Sequence, residues 1–157
     1  MRKLILLPYL LLVSLMAASQ PWFLAQVGTP IKLQNFLQPE AGCNWSGIAG
    51  QAFDRQGNPV IGSVVHVWGI LDGEEVIRYV MTGSSNRVGP GGFEITLADH
   101  QISTPGKLSL QLLDLAGVKL SPEISLDIAN DCEHNLVLVN LIEIPSDYHF
   151  YLPAIRK

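Results

Sequence analysis

The chain has 157 residues, of which 15% are charged, and a formal net charge of −4. That length holds one domain with a real core and is short for two, and so few charges exclude a disordered tail. All 14 acidic residues lie beyond position 26 while Arg2 and Lys3 sit at the start, so the remainder carries 8 basic against 14 acidic side chains, a balance of −6 that repels phosphate backbones and anionic membranes. Nucleic acid is therefore not an expected partner.

At the start, Arg2 and Lys3 precede an apolar run from Leu4 to Ala18, broken only by Pro8, Tyr9 and Ser14, and Ala17, Ala18 and Ser19 then supply small residues for cleavage. Residues 1–19 read as a signal peptide or as an uncleaved membrane-anchor helix. The anchor stays open because no charge falls between Lys3 and Lys32, although Ser19, Gln20 and Pro21 weaken such a span. Either reading exports the rest, giving a secreted or cell-surface protein that meets the membrane only through this segment if it is uncleaved. Residues 20–42, with Pro21, Gly28, Pro30, Pro39 and Gly42 and little periodicity, read as a linker.

From Cys43 to Ile144 short apolar segments alternate with turn signals, the pattern of an all-β sandwich. Period two predicts strands over 46–53, 63–68, 75–82 and 93–97. It predicts three more over 108–112, 124–128 and 135–143, making seven in all. The last is apolar on both faces and is expected to be central or covered. In the second, Val65 and Val67 share one face and His66 and Trp68 the other. Asp54 to Pro59 and Leu71 to Glu74 read as turns, and Gly83 to Gly92 as a loop. Residues 145–157 form a tail. Cys43 and Cys132 are the only cysteines, and export into an oxidising compartment predicts a disulfide between them, with two buried free thiols as the alternative.

The stretch Gly47 to Gly69, with Asp54, Gly57, Pro59, Gly62, Val65 and Val67 at its marked positions, resembles the opening of carboxypeptidase regulatory-like domains, G-x-V-x-D-x-x-G-x-P-(V/L)-x-G-A-x-V-x-V. Thr82-Gly83 and Gly92-Phe93-Glu94-Ile95 are similar to that family's T-D-x-x-G-x-F-x-I. Ala52, Ser63 and Gly83 depart from the pattern. The resemblance covers about a third of the chain. It implies a seven-stranded Greek-key, prealbumin-like (Ig-like) sandwich, shared with collagen-binding B-type domains, and an accessory module without chemistry of its own. It also favours a bacterial cell envelope. Some collagen-binding B-type domains carry a Lys–Asn crosslink assisted by a Glu. Asn140 and Glu94 occupy matching strands, but 46–53 contains no lysine, so the crosslink is expected to be absent and a disulfide to take its place.

No catalytic or cofactor constellation emerges from the residues. A serine triad needs an activated serine backed by His and a carboxylate, and no Gly-x-Ser-x-Gly elbow occurs. Zinc at Asp99-His100 or Glu133-His134 would need ligands from elsewhere, so no metal is expected. Asp54 and Asn58 are accounted for by turn chemistry and leave too few ligands for calcium. Trp45, Trp68, Tyr79 and Tyr148 could stack on sugars, with His66, Trp68 and Asn86 as the candidate ligand face. The expectation is a non-catalytic extracellular module with a structural or adhesive role in the cell envelope, whose partner is another envelope protein or a surface polysaccharide. The alternative is a carbohydrate- or peptide-binding accessory domain using the face around Trp68.

Overall fold

The computed structural model of the chain describes residues 20–104 and 108–145; the expected leader helix and residues 146–157 of the tail lie outside the described residues. The described residues form ten strands and no helix. In chain order they are β1 (Trp22–Ala25), β2 (Ile31–Leu33), β3 (Ser46–Phe53), β4 (Val64–Leu71), β5 (Glu74–Met81), β6 (Gly92–Ala98), β7 (Leu108–Leu113), β8 (Ile124–Leu126), β9 (Leu136–Leu138) and β10 (Leu141–Ile144).

The strands make two sheets. One is the antiparallel sheet β5-β4-β7-β8, built from consecutive chain apart from β6. The other has β3 at its centre, with β6 antiparallel on one side and β9 and β10 parallel on the other. Beyond these, β2 pairs with β9 and β1 with β10. Alternation places Val65 and Val67 of β4, Leu108, Leu110 and Leu112 of β7, and Phe93, Ile95 and Leu97 of β6 between the sheets. Ile48 and Ala52 of β3, with Val137, Val139 and Leu141, complete this buried layer. Facing sheets that bury one side of each strand are the sandwich solution.

Each stretch expected to be a strand between Cys43 and Ile144 contains one, but the last is divided, and with β1 and β2 the described residues form ten strands where seven were expected. The pairing Gly47 with Leu136 and the pairing Ala52 with Leu141 have the same offset, so β9 and β10 are one strand interrupted without a change of register. The interruption falls at Val139-Asn140. The Val139 N–H still donates to the Ala49 carbonyl at 2.8 Å, but the next bond comes from a side chain, the Gln51 N–H donating to Asn140 Oδ1 at 3.1 Å. The Asn140 backbone instead turns outward, its carbonyl accepting from the Gln26 N–H at 2.8 Å. Gly50 is required opposite this break, because a Cβ there would collide with the Val139 carbonyl.

Residues 20–42, expected to be a linker, contribute two strands to the sheet. β1 and β2 are too short, and too heavily flanked by Pro and Gly, to show a period, yet Phe23 of β1 is buried at the core. The Thr29-Pro30 peptide is cis. Beyond β2, the chain folds over the outer side of β3 and β9. Leu37 and Trp45 pack there on Ala49 and Leu136 as a second small core. Asn35 shapes this segment by accepting the Leu37 and Gln38 N–H groups on its Oδ1 at 3.1 and 3.0 Å. Asn135, fully buried, locks it down: its Nδ2 donates to the carbonyls of Gly42 and Trp45, and its Oδ1 accepts the Asn35 N–H at 2.8 Å.

Cys43 and Cys132 form the expected disulfide. Their separation of 89 residues equals the offset of the β3–β9 pairing, so the bond closes the parallel ladder at the end where both strands begin.

Candidate functional site

The strand alternation that turns Val65 and Val67 inward turns His66 and Trp68 to the outer face of the β5-β4-β7-β8 sheet. Register then sets His66 between Tyr79 on β5 and Gln111 on β7. The imidazole stacks on Tyr79 at 4.4 Å between ring centroids and on Trp68 at 4.5 Å. Its Nε2 is buried and has no hydrogen-bond partner among the described residues. Burial without a counter-charge lowers the His66 pKa, so the ring is neutral at neutral pH. Gln111, its other neighbour, spends its amide on the Ser121 carbonyl at 2.9 Å. His66 is therefore the centre of a ring stack and has no contact that would make it a general base.

Around the stack lies an apolar surface. Tyr79 is 63% exposed, Ile77 48% and Met81 45%, and Ile70 also reaches solvent. Ile77 and Met81 belong to this face, and sequence reasoning misses them. The alternation of β5 is visible in the sequence; which side of it is left uncovered is not.

Asn86 is not part of this site. It lines an open cleft of about 350 Å³ with Ser85, Arg87, Glu94 and Thr96. Because Phe93 and Ile95 point into the core, Glu94 and Thr96 lie on the outside of the opposite sheet. The sandwich thus separates Asn86 from His66 and Trp68. In the cleft Glu94 accepts from Gln38 Nε2 at 2.7 Å and Ser85 Oγ at 3.1 Å, and pairs with Arg87 at 3.4 Å. Trp45, expected as a surface aromatic, is buried at 2% exposure and donates its indole N–H to Thr96 Oγ1 at 3.0 Å. Tyr148 lies outside the described residues.

Two further histidines contact acids. His100 contacts Asp99 through Nδ1 at 3.0 Å and Asp72 through Nε2 at 3.1 Å, and these two hydrogen bonds raise its pKa. Asp72 is the residue brought from elsewhere, from the β4–β5 turn. The carboxylates engage opposite nitrogens and share no point where an ion could sit. His134 contacts Asp131 at 2.8 Å. Among the described residues, no three or more His, Cys, Asp or Glu side chains are grouped so as to hold a metal ion.

In comparisons with known proteins, no family model, curated protein or solved structure matches the chain.

Proposed function

We propose that this chain is an exported, non-catalytic β-sandwich module with a structural or adhesive role in the cell envelope, docking another envelope protein through the outer face of β4 and β5. One observation carries the reading: the two sheets are finished differently. The β3 sheet has its outer side covered by the chain's own segment 34–45, whereas the β4–β5 side leaves Ile70, Ile77, Tyr79 and Met81 exposed around Trp68. Contiguous apolar surface of that kind marks interaction sites. Tyr and Trp at its centre are the residue types that dominate protein interfaces.

Export is supported by the leader pattern and by the disulfide, which persists in oxidising compartments. A Greek-key, prealbumin-like arrangement of the carboxypeptidase regulatory-like kind is supported by the motif in 47–69. The repeated crossing of the chain between sheets, at β3–β4, β5–β6, β6–β7 and β8–β9, also favours it.

The carbohydrate alternative uses the same residues. Sugar rings stack on free aromatic faces, and here Trp68 and Tyr79 each give a face to His66, which favours the protein partner. The test is retention of the exported chain on isolated envelopes of its own host. An Ile77→Ser/Tyr79→Ser variant that melts like wild type is expected to lose about tenfold in retention, the cost of removing central anchors. Equal retention overturns the reading. Glycan-array binding abolished by Trp68→Ala replaces it with the carbohydrate one.

A further inference from the structure

β5 is the free edge of its sheet. In an antiparallel ladder alternate residues turn their backbone groups to the neighbouring strand, and the rest point away from it. The Thr82 N–H donates to the Ser63 carbonyl on the β4 side at 2.9 Å, so the even-numbered residues of β5 serve β4. Glu75, Ile77, Tyr79 and Met81 therefore present their N–H and C=O groups outward. Among the described residues only two of these groups are engaged. The Arg78 guanidinium donates to the Ile77 carbonyl at 3.0 Å, and the Ser84 N–H to the Met81 carbonyl at 3.3 Å.

Apart from the charges of Glu74, Glu75 and Arg78, this edge lacks the devices that usually blunt one. It runs for 8 residues, Glu74 to Met81, pairs with β4 in unbroken register, and contains neither proline nor lysine. The other edges are blunted. β1, β2 and β8 have 4, 3 and 3 residues. β6 carries a register shift and has the Ser85 N–H on its Gly92 carbonyl at 3.1 Å.

We infer that the β5 edge pairs antiparallel with β5 of a second copy, joining two four-stranded sheets into one across a two-fold axis. The charges on the strand select a copy of itself as the occupant. Glu74 and Glu75 stand at one end and Arg78 beyond the middle, so head-to-tail reversal brings opposite signs together. Pairing that keeps Ile77 and Tyr79 of both copies on one face centres the axis on a residue. Centred on Val76, it sets Arg78 of each copy opposite Glu74 of the other; centred on Ile77, it leaves them diagonal. Centring on Arg78 would oppose two guanidiniums, and like charges directly opposite are unfavourable. Arg78, which caps the open Ile77 carbonyl in the single chain, would release it to the second copy's backbone and turn to that copy's Glu74. The inference stands on the strand edge and not on the adhesive reading, though pairing would double the exposed face around Tyr79.

Sedimentation equilibrium of the full chain, with hydrogen exchange followed at β5, tests it. Wild type is expected to dimerise, with the Glu75 and Ile77 amides protected more strongly as concentration rises. Glu74→Arg is expected to weaken the dimer by about tenfold, since it turns two favourable cross-strand pairs into repulsive ones. Adding Arg78→Glu is expected to restore it. A wild-type chain that stays monomeric overturns the inference. So does a dimer indifferent to Glu74→Arg, or one whose β5 amides exchange independently of concentration.

Discussion

Asparagine does work in this fold that its place in the sequence conceals. Asn140 lies in an apolar strand whose pattern gives it no role; its amide replaces a backbone carbonyl for Gln51 while its Nδ2 reaches Gln26 at 3.1 Å. Asn135 likewise satisfies its whole amide internally. A buried amide left unpartnered costs about 1–3 kcal/mol, so the fully buried Asn135 is tightly specified, and the half-buried Asn140 less so. The histidines differ in the opposite sense. Burial lowers the His66 pKa from 6.5, so below about pH 6.5 the unfolded chain takes up more protons at this site and stability falls with pH. Asp99 and Asp72 raise the His100 pKa from 6.5, so its contribution is complete below that value and is lost as pH rises through the raised one. Urea unfolding across about pH 5 to 8 should therefore separate them. His66→Phe, which keeps the ring stack, is expected to remove a loss of stability on the acid side. His100→Gln is expected to remove a loss on the neutral side. The same direction of change from both would contradict the two environments.

At the scale of elements, what is legible in the sequence follows burial periodicity. Phe93, Ile95 and Leu97 alternate with Glu94 and Thr96, and the strand is where that pattern puts it. The inward turn of Val65 and Val67, and hence the outward turn of His66 and Trp68, can be read in the same way. β1 and β2 cannot, because 4 and 3 residues between prolines and glycines carry no period, and their reason for being strands lies in β9 and β10, more than a hundred residues away. Trp45 looks like a surface aromatic for a related reason: it is buried with Leu37 against Ala49 and Leu136 only because its own segment folds back over the sheet, which depends on the distant Asn135. Asn86 looks like a neighbour of Trp68 because nothing local says on which sheet a loop will settle. A linker can be removed without harm, and an integral strand cannot. Deleting residues 20–33 withdraws Phe23 from the core and exposes the ladders of β9 and β10. Phe truncation alone costs about 3–5 kcal/mol. The shortened chain is therefore expected to melt well below the full one, or not to fold. Circular dichroism melting checks this, and an unchanged midpoint would restore the linker reading.

For the molecule as a whole, the two sheets are assembled from different parts of the chain. The β5-β4-β7-β8 sheet uses residues 64 to 126, whereas the β3 sheet gathers β1, β2 and β3 from one end and β9 and β10 from the other, with only β6 between. Closing that second sheet means bringing distant segments together, which carries the larger loop-closure cost. The disulfide acts at that point: linking residues 89 apart removes about 4–5 kcal/mol of chain entropy from the unfolded state, on a purely entropic account of its effect. It also pins segment 34–45, so its loss should be felt unevenly. In a Cys43→Ser/Cys132→Ser chain, native-state hydrogen exchange is expected to show β1, β2, β9 and β10 opening at lower free energy than β4 and β7. Trp45 should become accessible in the same step, since Asn135 and the disulfide hold its segment against the sheet. That order follows from topology, because β4 and β7 keep each other as neighbours when the ends separate. Uniform loss of protection across both sheets would mean instead that the sandwich opens as a single unit. The covered side of the β3 sheet would then be as firmly held as the core itself.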